Sequence, residues 1–349
     1  MAIIAGDIGG THTRLAVMEG GSGRLRVKDL QVYSSQDHDS LTEILERYKG
    51  KGHRSFEGAC FGVAGPVRFG RARITNLPWQ VDQEDLTTFL GVPTVVLNDV
   101  EAVGWGIPLL GPDDVTVLLE GEEGVQGNGA VIAPGTGLGQ AGLFWDGQEH
   151  RPFASEGGHA DFAPVDEVDR GLQMELASRF GHVSWERVVS GPGLEALHRY
   201  LCRRSGAKTE GCPLEALDPG IGGPEVVDPD SGGPEVLGAD ISGPEVITRA
   251  AGEGRCPACA DTVQRFCRVL GAQAGNLALT LLATAGVWIG GGIAPDILPL
   301  LQEGWFREGF VGKGRLRHLM ERIPVRVITD HHIALKGAGR CGFRRLQGQ

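Results

Sequence analysis

Two short glycine-rich segments, each following an apolar run, carry the residue types that bind phosphate. They are Ile3-Ile4-Ala5-Gly6-Asp7-Ile8-Gly9-Gly10-Thr11 and Val131-Ile132-Ala133-Pro134-Gly135-Thr136-Gly137-Leu138-Gly139. Each aliphatic run predicts a buried strand. Glycine lets backbone N–H groups approach an anion because no Cβ stands in the way, and threonine adds a hydroxyl donor. Two such turns, far apart in the chain, predict two half-sites for one polyphosphate, as in a nucleotide-dependent enzyme.

Three further segments offer an amide, carboxylates and an imidazole, which are groups that can hold the hydroxyls of a polyol. They are Asn98-Asp99, Ser155-Glu156-Gly157-Gly158-His159 and Glu186 before Ser190-Gly191-Pro192-Gly193. The first follows an apolar strand, and ligands collect beyond the carboxyl ends of strands in α/β sheets. Asp99 could also accept the proton of an attacking alcohol. Taken singly, each has an ordinary alternative: a turn for Asn98-Asp99, a structural role for His159 and an exposed helix position for Glu186.

Asp7 lies between the first strand and two glycines, where a bare carboxylate would repel a phosphate. A cation between them would remove the repulsion, so Asp7 is a candidate partner of Mg²⁺, directly or through water. The alternative is an aspartate that merely begins a turn. The neighbouring glycines and Thr11 favour the metal hypothesis.

Two better-known nucleotide motifs do not account for these glycines. Gly137-x-Gly139-x-x-Gly142 formally matches the dinucleotide fingerprint, with Glu156 at about the expected distance. That fingerprint requires a helix to begin within the glycines, whereas residues 143–147 predict a strand and a turn. The motif G-x-x-x-x-G-K-[ST] is missing as well, since Gly312-Lys313 is followed by glycine. Neither a dinucleotide-binding domain nor a P-loop is predicted.

The elements that position these residues form two similar α/β halves. The first half has predicted strands at 3–8, 13–18 and 25–33, a helix at 40–49 capped by Ser40, a strand at 58–63, a helix at 83–90 opened by Asp82 and a strand at 93–97. In the second half, strands at 115–119, 129–134 and 140–145 repeat the meander, with Asn128-Gly129 and Asp146-Gly147 as hairpin turns. Then follow helices at 166–180, 192–204 and 261–283, a strand at 287–289, helices at 295–303 and 314–322, a strand at 325–328 and a helix from about 332.

Length and charge limit the class of protein. The chain has 349 residues, which favours two domains. Its formal net charge is −11, which argues against a nucleic-acid partner because phosphate binding needs a basic face. The longest apolar stretch, 277–289, is too short and mixed to span a membrane, and the chain enters its first strand without a signal peptide. Seven cysteines, an odd number, fit a reducing compartment. We expect a cytoplasmic protein with neither a nucleic-acid nor a membrane partner.

Two features stand outside this pattern. Gly222-Gly223-Pro224-Glu225-Val226 recurs at 232–236 and, with serine leading, at 242–246. We interpret these repeats as a Pro/Gly-rich surface insertion, with a partner-binding tail as the alternative. Cys256-Pro257-Ala258-Cys259, with Cys267 nearby, is half of a zinc site but lacks an evident fourth ligand. The start of a helix is the preferred interpretation there, and a metal or redox role is the alternative.

With these residues assembled, the chain strongly resembles the bacterial glucokinases of the actin-like sugar-kinase superfamily. The resemblance covers nearly the whole chain and rests on two phosphate motifs, an adenosine motif and two hexose-binding segments, at 6–11, 135–139, 289–295, 156–162 and 186–193. It implies two actin-like (ribonuclease-H-like) domains, each a mixed sheet with a three-strand antiparallel meander flanked by helices. We assign 1–109 with 329–349 to the smaller domain and 110–328 to the larger, with the repeat insertion at 219–246.

The resemblance also implies an activity and the residues for it. The activity would be transfer of the γ-phosphoryl group of ATP to the 6-hydroxyl of D-glucose, with Mg²⁺ as cofactor, and we expect a homodimer. Asp99 would be the general base, while Asn98, Glu156, His159 and Glu186 would hold the other hydroxyls. The nucleotide would be bound by Gly6, Asp7, Ile8, Gly9, Gly10, Thr11, Gly135, Thr136, Gly137, Gly290 and Gly291.

Two departures and several alternatives remain. His12 stands where the family commonly has asparagine, and the repeats stand where it has a short connection. A kinase for mannose, fructose or an N-acetylhexosamine is the main alternative, because these side chains suit hydroxyl-rich hexoses in general. ADP or polyphosphate could replace ATP as donor. A sugar-sensing regulator of this fold would need a DNA-binding segment, and none precedes Ile3.

Overall fold

The computed structural model describes residues 1–21, 24–50, 56–205 and 243–348. Their contacts divide the chain into two units, one formed by Met1–Val115, Ala141–Ala154 and Asp330–Gln349 and the other by Thr116–Gln140 and Ser155–Thr329. The domain bounds from the sequence stay a proposal. The repeat insertion lies outside the described residues up to position 242.

The strands and helices have the following bounds. The strands are β1 (Ala2–Ile8), β2 (His12–Gly21), β3 (Arg24–Ser34), β4 (Ala59–Val63), β5 (Val67–Arg68), β6 (Arg71–Arg73), β7 (Gln80–Asp82), β8 (Thr94–Asn98), β9 (Val115–Leu119), β10 (Gly129–Pro134), β11 (Leu138–Trp145), β12 (His150–Ser155), β13 (Gly286–Ile289) and β14 (Val325–Ile328). The helices are α1 (Leu41–Gly50), α2 (Gln83–Leu90), α3 (Asp99–Gly106), α4 (Glu167–Phe180), α5 (Gly191–Ser205), α6 (Gly243–Gly252), α7 (Pro257–Leu281), α8 (Ile293–Asp296), α9 (Leu298–Leu301), α10 (Trp305–Val311), α11 (Arg317–Met320) and α12 (Ile333–Leu346).

The first sheet is mixed and has the order β3-β2-β1-β4-β8. Strands β1, β2 and β3 pair antiparallel as the predicted meander, while β1–β4 and β4–β8 pair parallel. Strand β1 is buried on both faces. Ile4 packs into a core with α1, and Ile3 packs into another with α12, because successive side chains of a strand point to opposite faces.

Two predicted helix starts and one predicted loop in this unit can be compared with the structure. Ser40 Oγ accepts the Glu43 N–H at 3.2 Å and Asp82 Oδ1 accepts the Glu84 N–H at 2.8 Å, so both predicted N-caps are confirmed. The loop expected after the strand at 93–97 is wrong. Helix α3 begins directly at Asp99, because Asn98 Oδ1 accepts the Val100 N–H at 2.9 Å and caps it. The three-stranded sheet β5-β6-β7 was not predicted, since strands of two or three residues show no periodicity.

The second sheet has the order β12-β11-β10-β13-β14-β9, and β10–β13 and β13–β14 are parallel. The predicted composition of its meander is wrong. The sequentially adjacent strands are β10, β11 and β12, whereas β9 lies at the far edge beside β14. Asn128-Gly129 therefore does not form a hairpin turn. Asp146 does, because Oδ1 accepts the N–H groups of Gln148 and Glu149 at 2.9 Å between β11 and β12.

The helices of the second unit follow the prediction with five differences, one of which is that the helix expected at 314–322 is a 3₁₀ turn at Gly314–Leu316 followed by α11 at Arg317–Met320. Helix α7 begins at Pro257 rather than 261, with Cys256 as its N-cap residue, which confirms the helix-start interpretation of the Cys256–Cys259 segment. The helix expected at 295–303 is two short helices, α10 was missed, and the last repeat copy begins α6 at Gly243. None of the helices described here has the length and apolar character needed to cross a bilayer.

Close packing of α3 against α12 predicts one strong substitution effect. A Cβ added at Gly337 would collide with the carbonyl oxygen of Ala102. Gly337→Ala is therefore expected to lower the free energy of unfolding by about 2 kcal/mol, since overpacking forces packed helices apart. Urea unfolding measures the change. The matched control is Gly252→Ala at the end of α6, where nothing lies within 4 Å of the added atom. Equal stabilities of the two variants would contradict the assignment of this contact.

Candidate active site

The first glycine turn joins β1 to β2 and is fixed by its own backbone. The Gly9 N–H donates to the His12 carbonyl at 2.9 Å. Ser35 supports the turn from the end of β3: its Oγ donates to the Gly9 carbonyl and its N–H to the Thr11 carbonyl, both at 2.8 Å. Ile8 is buried whereas Thr11 is exposed. The turn is therefore a supported element with Thr11 open to a ligand.

Asp7 is a mostly buried carboxylate paired with a cation. It faces Arg14 across the β1–β2 register, and Arg14 Nη1 lies 3.1 Å from Asp7 Oδ2. Burial raises the pKa of the Asp7 carboxyl, and the Arg14 charge and hydrogen bond oppose that rise. No cluster of three potential metal ligands occurs in the described ranges. Mg²⁺ prefers oxygen ligands and usually keeps several waters, and Asp7 offers one carboxylate to such an ion.

Asn98 and Asp99 stand where β8 passes into α3. Besides capping the helix, Asn98 donates its Nδ2–H to the Gly65 carbonyl at 3.1 Å, and it is 8% exposed. Its amide thus already has structural partners. Asp99 is the first residue of α3 and is half-buried, and its Oδ1 accepts the Val100 N–H at 2.9 Å. The N-terminus of a helix favours a negative charge at this position.

The second glycine turn joins β10 to β11. The Gly135 N–H donates to the Gly137 carbonyl, and the Gly191 N–H at the start of α5 donates to the Gly135 carbonyl, both at 2.8 Å. Thr136 is exposed at the tip. The Gly290 N–H, at the end of β13, donates to the Ile132 carbonyl at 2.8 Å. The second phosphate motif and the adenosine motif therefore lie on neighbouring strands of one sheet.

Glu186 connects this turn with the predicted hydroxyl-binding residues. Its Oε2 accepts the Leu138 N–H at 2.8 Å, and its Oε1 lies 3.9 Å from His159 Nδ1. On the other side, His159 Nε2 lies 3.9 Å from Glu156 Oε2. Both 3.9 Å gaps exceed hydrogen-bonding range, so the imidazole stands between two carboxylates with capacity for a ligand hydroxyl.

Two glycines permit this arrangement. The Cβ of any other residue at position 137 would lie 2.5 Å from Glu186 Oε2, and one at position 157 would collide with Gln140 Oε1. Residues Gly157–His159 form a single 3₁₀ turn, in keeping with the prediction that the glycines prevent an α-helix. The cluster can therefore approach the strand closely.

A pocket adjoins the second turn within the same unit. Arg187 lies over the ring of Phe180, with its guanidinium carbon 3.8 Å from the ring centroid. The pocket is lined by Thr136, Leu176, Phe180, Glu186, Arg187, Ser190, Pro192 and Ala196. Its walls combine apolar side chains with one cation beside the exposed threonine.

The structure brings some predicted residues together and leaves others as separate groups. Glu156, His159 and Glu186 form one cluster with the 135–137 turn, while residues 6–11 and Asn98-Asp99 belong to the first unit. Sequence reasoning missed Arg14 and Ser35, which support the first turn. The strand register around the turn, which places position 14 opposite position 7, is the signal that could have found Arg14.

A glycine turn after a central strand of each sheet, with a carboxylate–imidazole cluster beside one of them, defines a sugar kinase of the actin-like fold. The glucokinase family model matches residues 4–344, and the chain belongs to that family. It is 39% identical to the glucokinase of Nostoc punctiforme over 98% of this chain and 99% of the relative. The glucokinase of Caulobacter vibrioides is 37% identical over 96% and 93%. Among solved structures, the glucokinase from an Antarctic psychrotroph has 30% identity and a TM-score of 0.77, covering 97% of this chain and 98% of that one.

The Asp7–Arg14 pair predicts a pH-dependent stability effect. A carboxyl whose pKa is raised by folding stabilises the fold below its unfolded pKa, and this contribution is lost as pH rises through the folded pKa. Arg14→Met raises the pKa of Asp7 further, so it is expected to destabilise by about 1 kcal/mol more at pH 7 than at pH 3.5. Urea unfolding at both pH values measures this difference.

The control for this prediction is Lys28→Met. It removes an exposed pair with Glu19 and is expected to have little effect at either pH. If Arg14→Met destabilised the protein equally at both pH values, packing rather than charge would be the function of Arg14.

Proposed function

We propose that this chain transfers the γ-phosphoryl group of ATP to the 6-hydroxyl of D-glucose, giving glucose 6-phosphate and ADP. The observation that carries the proposal is the position of Glu186, which accepts the Leu138 N–H of a phosphate-type turn and lies 3.9 Å from the His159 imidazole. One carboxylate thus joins a phosphate element to a hydroxyl-binding element. The names of the relatives, all glucokinases, support glucose as the substrate.

Two turns are suited to hold the triphosphate of ATP, with Thr11 and Thr136 as exposed hydroxyl donors. Gly290 and Gly291, which follow β13 beside the second turn, are proposed to contact the adenosine part of ATP. When bound, Mg²⁺ supplies charge neutralisation at the β- and γ-phosphates. The desolvated carboxylate of Asp7 is the group we assign to it, through a water ligand.

Asp99 is the proposed general base. Phosphoryl transfer passes through a loose transition state, so the acceptor hydroxyl loses its proton late and an ordinary carboxylate suffices. The start of α3 fixes the carboxylate, and Asn98 fixes the start of α3 by capping it. Glu156, His159 and Glu186 are proposed to orient the remaining hydroxyls, with Asn98 adding a contact to them. Orientation is the main requirement of this chemistry.

A coupled assay for hexose 6-phosphate tests the proposal. Glucose, mannose, fructose and N-acetylglucosamine are compared with ATP and Mg²⁺, and ATP is then replaced by ADP or polyphosphate. We expect the highest kcat/KM for glucose with ATP. Preference for another hexose would keep the mechanism and change the substrate. Binding of ATP without turnover of any sugar would overturn the proposed activity.

Replacement of the proposed base separates catalysis from binding. Asp99→Asn is expected to lower kcat by about 10²- to 10⁴-fold, because the amide cannot accept the proton. Glucose binding, measured by calorimetry, should remain. The matched control is Asp85→Asn, since Asp85 lies in the first turn of α2 and is exposed. A near-normal kcat for Asp99→Asn would exclude Asp99 as the base.

The two carboxylates beside His159 are expected to behave differently. Glu156→Gln should raise KM for glucose about tenfold, or ~1.4 kcal/mol, and leave KM for ATP unchanged. Glu186→Met should raise both constants, because it also removes the acceptor of the Leu138 N–H beside the second turn. Initial rates with each substrate varied give the four constants. A glucose-only effect of both variants would contradict the coupling assigned to Glu186.

We further propose a homodimer in the cytoplasm that supplies glucose 6-phosphate to glycolysis. The odd number of cysteines supports the cytoplasmic part of this proposal, because it fits a reducing compartment. Light scattering on the purified protein measures the oligomeric state, and a monomer at micromolar concentration would contradict the dimer.

A further inference from the structure

Gln140 is a buried glutamine whose amide nitrogen lacks a hydrogen-bond partner among the residues described. The residue is 2% exposed, and Nε2 is the unsatisfied atom. Burying a donor without an acceptor costs free energy, so an unsatisfied buried group in a native protein calls for an explanation. The residues that surround Gln140 suggest an explanation for this unsatisfied amide.

Gln140 lies beneath the segment that carries Glu156 and His159. Its side chain is on the same face of β11 as that of Leu138, since residues two apart on a strand share a face. The Leu138 carbonyl lies against Gly158, and Gln140 Oε1 lies against Gly157, so closely that a Cβ on either glycine would collide. The carboxamide is therefore part of the floor of the Gly157–His159 turn.

The turn does not need this carboxamide to form. The Gly157 N–H donates to Ser155 Oγ at 3.0 Å, the His159 N–H donates to the Glu156 carbonyl at 3.0 Å, and the Glu186 N–H donates to the Gly158 carbonyl at 2.9 Å. An apolar side chain of similar size would fill the space under Gly157 without burying an unsatisfied donor. A glutamine at this position thus disfavours the sugar-free protein.

We propose that Gln140 is a positioning residue for sugar recognition. Its Nε2–H group gains an acceptor when the Glu156–His159 segment engages a sugar. Ser155 Oγ, which like the Gln140 carboxamide lies beside Gly157, is the acceptor that we assign to it. Gln140 then stabilises the sugar-bound form relative to the sugar-free form. The proposal rests on the proposed function as a hexose kinase and adds a determinant of sugar affinity to it.

Gln140→Met tests the proposal, because methionine keeps the length of the side chain and removes the donor. Without sugar, the Tm is expected to stay unchanged or rise. The Kd for glucose by calorimetry and the KM for glucose should both rise about tenfold, or ~1.4 kcal/mol, with kcat within about twofold of wild type because Gln140 touches no reacting atom. Gln140→Leu serves as a second variant.

The matched control is Gln273→Met. Gln273 is 5% exposed on α7, and its Oε1 accepts the Asn276 Nδ2–H at 3.2 Å. Loss of a satisfied buried amide should lower the Tm and leave the Kd for glucose unchanged. This opposite pattern separates a donor used in the bound state from one used in the fold.

The remaining outcomes overturn the inference. An unchanged Kd for Gln140→Met would show that the carboxamide does not contribute to sugar binding. A lower Tm of Gln140→Met without sugar, or failure of both Gln140 variants to fold, would show that the carboxamide stabilises the sugar-free fold. The wild type in the same experiment tests the proposed function separately. If it neither binds nor phosphorylates any hexose, the proposed function fails as well.

Discussion

The contact between the Glu186 carboxylate and the Leu138 N–H is the interaction on which the candidate site depends. It holds one carboxylate oxygen at the second glycine turn and leaves the other facing His159. The backbone of Glu186 is fixed in turn, because Ser190 Oγ donates to its carbonyl at 2.7 Å and accepts the Gly193 N–H at 3.1 Å. Glu186 thus joins the second glycine turn through its side chain and the start of α5 through its main chain and Ser190, and a Cβ at position 137 would collide with its Oε2.

In the first unit, the glycine turn and its carboxylate are held by different interactions. Its turn is supported by Ser35, and its carboxylate, Asp7, is paired with Arg14 rather than with a backbone N–H group. A hydrogen bond to the main chain fixes direction, whereas an ion pair mainly offsets charge. Glu186 is therefore held in one direction, whereas Arg14 offsets the charge of the Asp7 carboxylate and burial raises its pKa.

The sequence predicts the parts of this structure that depend on local pattern. The apolar runs at β1 and β10 and the N-caps Ser40 and Asp82 follow from residue types that act within a few positions. The place of β9 beside β14 does not, because pairing between distant strands leaves no local signal. Helix α3 could have been found, since Asn98 followed three residues later by Glu101 has the spacing of a helix start.

The candidate site was also predicted only in part. The glycine turns were predicted from their composition, whereas the meeting of Glu156, His159 and Glu186 was implied only by the family resemblance, because about thirty residues separate the two segments. Residues beneath the site were missed altogether. Gln140 is two residues past Leu138, and only the fold shows that Gly157 lies on it. Supporting residues carry no chemistry-bearing motif, so their roles become visible only once the strand register is known.

Some of the candidate functional groups share one kind of position in the fold. Two of the candidate functional groups stand at the carboxyl end of a strand or at the first turn of a helix, where backbone N–H groups have no partner within the element. Asp99 and the 135–137 turn both occupy such ends. Burial raises the pKa of the Asp7 carboxyl, and Gln140 Nε2 is buried without a partner among the described residues, so both side chains carry a desolvation cost in the fold. A ligand that completes these interactions would stabilise the folded state on binding.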